Sequence, residues 1–143
     1  MSFGFSISDF ITVPALAWKL YLSCKESSDD FKNISGQVAS LHIVLKETSE
    51  HLSEYNLAPD REAQLIGLGK QCYDVLKDIE SLLDRYDSLG TPSQRTWDRM
   101  RWGLEDTSAL RDRLILNTTI LATFNTTLTK WVIILRPSVG HSQ

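Results

Sequence analysis

Apolar side chains recur at helical spacing along most of this chain. Phe31, Ile34, Val38, Leu41, Leu45, Leu52 and Tyr55 step by three, four and seven, which places them on one face of a helix. Asp29 and Asp30 open that segment, so a helix is predicted from there to about Tyr55. Asn56 and Pro59 interrupt the pattern, and Asp60 is the expected cap of a further helix reaching about Leu89. Its stripe is Leu65, Leu68, Cys72, Val75, Leu76, Ile79, Leu82, Leu83 and Tyr86, with charged pairs on the opposite face. Gly90, Thr91 and Pro92 then form a stop-and-start signal.

The stretch from Ser93 to about Leu135 is too long for one uncapped helix. Gly103 is the expected joint, giving a short piece that bears Trp97 and a long helix from Glu105; Pro137 ends it, and residues 138–143 read as a disordered tail. At the other end, Ser8 is the expected cap of a helix over Asp9–Lys25, with Pro14 as a source of kinking. Phe3, Phe5 and Ile7 alternate as a strand would, but so short a run cannot found a sheet. The prediction is an all-α fold, an antiparallel four-helix bundle forming one domain over residues 1–137.

Charge is distributed unevenly over this pattern. The chain has 143 residues, 42% hydrophobic, and a net charge of −3, values of an ordinary globular domain. Yet residues 25–113 hold 29 of the 33 charged side chains. Residues 1–24 hold only Asp9 and Lys19, and Leu114 to Thr129 is a charge-free run of 16. The acidic balance argues against a nucleic-acid binder, which needs a basic face. Cys24 and Cys72 are too few for a disulfide framework and read as buried thiols in a reducing compartment.

The N-terminal segment lacks the basic start and cleavage site of a secretory signal, and Ser2 stands where myristoylation needs glycine. Asp9, Pro14 and Lys19 also make it a poor resident transmembrane helix. A cytoplasmic domain is therefore expected.

Enzyme constellations are missing or weak. His42 and His51 are nine residues apart, off the spacing of paired zinc ligands on a helix, and His141 stands in the tail. Gly67-Leu68-Gly69-Lys70 lacks the spacer and following hydroxyl of a phosphate loop, and reads better as small-residue helix packing. Glu105 and Asp106 beside Arg101 read as helix capping and solvated ion pairs. No catalytic residue, metal ligand or cofactor site is expected. The sequons at Asn33, Asn117 and Asn125 are expected to stay unmodified in the absence of secretion. Arg95, Arg99 and Arg101 cluster with Arg111 and Arg113 around Trp97 and Trp102, with acidic residues interleaved. A neutralised helix face is the simpler reading, and contact with anionic lipid is the functional one.

Several strings resemble a fungal N-terminal domain. Phe31-Lys32-Asn33-Ile34-Ser35 with Val38-Ala39-Ser40-Leu41-His42-Ile43-Val44-Leu45-Lys46-Glu47 is similar to its second helix. Ser2-Phe3-Gly4-Phe5-Ser6 with Asp9-Phe10, the run Leu16-Ala17-Trp18 with Tyr21, and Arg95-Thr96-Trp97-Asp98-Arg99-Met100-Arg101-Trp102-Gly103 match in the same order. Over about residues 2–130 the chain resembles the helical domains at the head of STAND/NLR-type receptors and cell-death proteins, the HeLo-like group.

The resemblance implies a helical bundle akin to the membrane-lytic domains of necroptosis executioners and plant resistance receptors. It further implies self-association on activation, release of the hydrophobic N-terminal segment, and permeabilisation of the plasma membrane. In receptors of this type the bundle precedes a nucleotide-binding domain, so the chain is expected to be either an excised domain or a stand-alone member.

Two readings of the N-terminus stay open. In one, Phe3, Phe5, Ile7, Phe10, Ile11, Val13, Leu16, Trp18, Leu20 and Tyr21 form a membrane-active segment, with Asp9 as a carboxylate ring lining a pore. In the other, the first helix is the central helix of the bundle and is apolar because three others surround it. Asp9 has its own simpler reading as a helix-start residue. For the run after Leu114, the threonines suit a face covered by the first helix or by another copy of the chain. The alternative function is a non-lytic oligomerisation or adaptor module.

Overall fold

The structure, a computed structural model, describes residues 5–27, 29–54, 56–87 and 107–135. They form four α-helices: α1 (Ile7–Lys25), α2 (Asp29–Glu54), α3 (Pro59–Asp87) and α4 (Thr107–Leu135). Among the described residues there is no strand, so the all-α four-helix bundle is observed. Phe3, Arg95, Trp97, Arg99, Arg101, Gly103 and the tail lie outside the described residues.

Two helix starts differ from expectation. The cap of α1 is Ser6 rather than Ser8: the Ser6 hydroxyl accepts from the Asp9 amide at 3.3 Å, and Asp9 Oδ2 accepts from the Ser6 amide at 2.8 Å. This reciprocal capping box satisfies two orphan amides at once, which Ser8 has no partner to do. Helix α3 begins at Pro59, and the Ala58 carbonyl accepts from the Glu62 amide at 2.9 Å. Proline's fixed φ suits the first helical position, so Asp60 falls inside the first turn and complements the helix dipole there.

Successive helices alternate in direction. Phe10 lies at Gly69 and Lys19 at Glu80, so α1 and α3 run the same way. Arg61 lies over the Phe124 ring and Arg113 binds Asp78 at 2.7 Å, so α3 and α4 run oppositely. Helix α1 lies beside α2 and α3, and α4 lies beside the same two; α1 and α4 take opposite corners, as do α2 and α3. The predicted stripes fill the centre. Phe10, Phe31, Leu41, Leu45, Leu65, Leu76, Ile79, Leu114 and Leu121 are fully buried. Phe31 and Tyr86 close one end edge-to-face, with ring centroids 5.4 Å apart.

One buried contact between α2 and α4 is polar. Thr48 is fully buried, and its hydroxyl lies 2.9 Å from Asn125 Oδ1 and 2.8 Å from the Val44 carbonyl. The Asn125 amide nitrogen donates to that same carbonyl at 3.4 Å. Asn117 and Asn125, two of the sequon asparagines, are both buried.

Candidate functional site

Helix α1 has two different faces, and neither reading of the sequence described both. Phe10, Val13, Ala17, Leu20 and Cys24 point inward and are buried. Ile11 is 56% exposed, Trp18 47% and Leu22 37%, and with exposed Ala15 they make an uncharged stripe along the outside. Positions 11, 15, 18 and 22 fall within one narrow arc of a helical turn. Phe5, Ile7, Leu16 and Tyr21 sit half-buried on the flanks between.

The expectation of a central helix ringed by three neighbours is therefore corrected. Among the described residues α1 occupies a corner with α2 and α3 as its main neighbours, and Ile11, Trp18 and Leu22 of its outer face stay 37–56% exposed. Leu22 and Ala15 of the outer face were not singled out in the sequence, whereas Cys24 is buried as expected. The signal was there in the 11–15–18–22 spacing, obscured because the opposite face is equally apolar.

The N-terminal half of α1 is seated on α3. A Cβ placed on Gly69 would lie 2.8 Å from Phe10 Cε2 and 2.9 Å from Phe5 Cε2, inside any real carbon contact. Phe5 also packs on Tyr73 with ring centroids 5.9 Å apart. The expected small-residue packing thus falls on Gly69 alone, because Gly67 is exposed and has open space around it. Lys70 binds Asp74 at 2.9 Å, one turn on, in an ordinary surface pair.

The C-terminal half has separate anchors. Trp18 packs on His42 of α2 and on Tyr21, each at 5.2 Å between centroids. Burial, aided by nearby Lys46, holds the His42 imidazole below its usual pKa and so favours the neutral ring against the indole. Lys19 donates to Glu80 at 3.1 Å, and Lys77 donates to the same carboxylate at 2.6 Å. Hydrogen bonds from Lys77 and then Lys19 hold Glu80 below the ordinary carboxylate range. Asp9 is exposed and engaged in the capping box, which accounts for its presence at the start of α1.

Between the two halves stands Pro14, inside the helix. It has no amide hydrogen for the Phe10 carbonyl, and an interior proline costs a helix about 3 kcal/mol. Packing on both sides carries the helix through this point.

On the opposite corner, Leu114, Leu121, Phe124 and Leu128 of α4 are buried as expected. Its threonines do not pack against α1, which is diagonally opposite. The hydroxyls of Thr123, Thr126 and Thr127 instead donate to carbonyls four residues back, at 2.9–3.1 Å. Ile115, Leu116 and Ile120 are exposed on that helix. An open cleft of about 200 Å³ lies at the end of the bundle between Ile7, Leu52, Asn56, Leu57 and Glu62. Among the described residues no three His, Cys, Asp or Glu side chains converge to hold a metal ion, and no helix is long and apolar enough to cross a membrane. No protein-family model, curated protein or solved structure matches the chain.

Proposed function

We propose that this chain is a non-enzymatic helical effector domain of the cell-death type. It assembles with further copies of itself on the cytoplasmic face of the plasma membrane and permeabilises that membrane through α1. The observation that carries this reading is the uncharged outer stripe of Ile11, Ala15, Trp18 and Leu22. A helix with such a face settles at the headgroup boundary, and an exposed tryptophan anchors well there.

First contact is interfacial rather than spanning. The 19 residues of α1 extend about 28 Å, close to the hydrocarbon thickness of a bilayer. Asp9 and Lys19 oppose full insertion by about 2.5–3.5 kcal/mol each at the bilayer centre. Lys19 is near enough to the middle that its long stem must reach for water, and Asp9 must face a wet lumen in an assembled ring. Anionic lipids would be met by the basic cluster at Arg95, Arg99 and Arg101. The exposed Ile115, Leu116 and Ile120 of α4 favour a second reading, a non-lytic adaptor that associates with its own kind or a partner bundle.

Dye release from phosphatidylcholine vesicles, with and without phosphatidylserine, separates the two. The effector reading expects leakage that the double variant Ile11→Glu/Trp18→Glu abolishes while helicity is kept. Soluble oligomers that never release dye overturn it and leave the adaptor.

A further inference from the structure

Acidic residues are distributed very unevenly over the first two helices. None of the chain's 18 carboxylates falls between Asp9 and Glu26, and none between Asp30 and Glu47. The same two stretches hold Lys19, Lys25, Lys32 and Lys46, all exposed. Trp18 packs on His42 and the two helices run oppositely, so the acid-free stretches lie side by side. A chain of net charge −3 thus carries a basic surface along one edge of its bundle. On the opposite edge, α3 holds seven acidic residues against four basic ones.

That basic surface is also apolar. Ile43 is 64% exposed, the most of any large hydrophobic residue among those described. Positions 39, 42, 43 and 46 share one arc of α2, and the Trp18–His42 contact sets that arc beside the outer stripe of α1. Ile43 therefore carries the stripe of Ile11, Trp18 and Leu22 across onto a second helix. Lys46 is the charged group that acts on the His42 imidazole, and it lowers the pKa, as a setting without a nearby carboxylate requires.

We propose that the folded bundle lies down on an anionic lipid surface through the joint face of α1 and α2. Trp18, Leu22 and Ile43 enter the headgroup boundary, while Lys25, Lys32 and Lys46 meet the anionic headgroups. Exposed aromatic and aliphatic side chains bordered by lysines match such a boundary, where the stems lie along apolar surface and the ammonium groups reach water and phosphate. Lys32 and Lys46 stand about 21 Å apart along α2, so the charges bracket the apolar patch instead of converging on one point. That spacing suits a surface of many headgroups and not a single free phosphate. The acidic α3 then faces away from the lipid, which fixes the orientation of the bundle. The docking rests on the effector reading in taking the outer stripe of α1 as membrane-facing, but it makes α2 an equal partner and requires no lysis.

Cosedimentation of the full chain with phosphatidylcholine vesicles, with and without phosphatidylserine, tests the proposal. Binding is expected to need phosphatidylserine and to weaken at high salt. Lys25→Gln/Lys46→Gln should weaken it by about tenfold or more, since each lysine near an anionic surface is worth about fivefold. Lys70→Gln/Lys77→Gln on α3 removes the same charge away from this face and should cost less than about twofold. Ile43→Glu should also weaken binding by about tenfold or more. All five side chains are exposed, so circular dichroism should show unchanged helicity. The proposal is overturned if phosphatidylserine makes no difference, if the two lysine pairs lose binding equally, or if Ile43→Glu binds like wild type. Should Ile43→Glu break up a soluble oligomer and leave vesicle binding intact, the face belongs to a second copy and the lipid assignment falls. Dye release from the same vesicles separates this proposal from the lytic one. Binding with the expected pattern but no leakage supports the docking and removes lysis, whereas leakage that survives every one of these variants overturns the docking and leaves lysis standing.

Discussion

Thr48 and Asn125 meet 2.9 Å apart between α2 and α4, in a core that is mostly apolar. The threonine has one hydrogen and two acceptors in reach, Asn125 Oδ1 and the Val44 carbonyl, while the asparagine amide donates back to that carbonyl. A buried polar pair of this kind penalises any slip of one helix along the other, since a slip parts Asn125 from both the Thr48 hydroxyl and the Val44 carbonyl. Thr48→Val is expected to cost about 1–3 kcal/mol because it leaves the buried Asn125 Oδ1 without its donor, and Asn125→Ala about as much through its lost hydrogen bonds and the cavity left behind. The double variant Thr48→Val/Asn125→Ala should be closer to wild type than the sum of the single losses. Urea unfolding of the four proteins in a double-mutant cycle checks this; strict additivity would mean that the pair does not interact.

Neighbouring residues on α1 should behave oppositely. Phe10 is fully buried against Gly69, so Phe10→Ala is expected to destabilise by about 3–5 kcal/mol. Ile11, one residue on, faces outward, and Ile11→Ala should stay within about 0.5 kcal/mol. Equal losses in denaturant melts would contradict the assignment of faces.

The buried thiols set an alkaline limit. Burial raises Cys24 and Cys72 from about 9 to about 12, so the folded chain holds their protons where the unfolded chain has released them. Their contribution is intact below pH 9 and is lost as the pH climbs from 9 towards 12, at about 1.4 kcal/mol per thiol per pH unit. Thermal melts should therefore fall steeply above pH 9, and Cys24→Ala/Cys72→Ala should flatten that fall.

The Lys19–Glu80–Lys77 cluster should matter far less. Lys19 is 66% exposed at its side chain, so Lys19→Met is expected to change stability by less than about 0.5 kcal/mol. Glu80 is held below the ordinary carboxylate range, so what it contributes is present at neutral pH and is lost in acid, as pH falls through its lowered value. The difference in stability between wild type and Glu80→Gln should be flat between pH 5 and 7 and shrink below that, read in urea melts.

Helical period made most of the bundle legible in advance. The stripes on α2 and α3 were legible because each has a charged opposite face that contrasts with it: the striped positions are buried apart from the half-buried Leu52 and Leu68, and Tyr55 lies outside the described residues. Contrast is what α1 lacks. With apolar residues on both sides, the 11–15–18–22 spacing has no polar contrast to set it off from Phe10 and Leu20, and the positions of α2 and α3 decide which face is buried. The Ser6–Asp9 box was hidden for a different reason: Ser6 and Ser8 are both competent caps, and the choice falls to whichever has an acid three residues later. Gly69 was marked as packing, but its partner Phe10 lies 59 positions earlier in the chain, beyond any local pattern.

Consecutive in the chain, α2 and α3 nevertheless stand across the diagonal from each other, and each leans on α1 and α4. Among the described residues the four helices thus make a closed ring of contacts, α1–α2–α4–α3. Without α1 the ring would become a row, α2–α4–α3, with α4 as the spine and the centre of the bundle turned into an open trough.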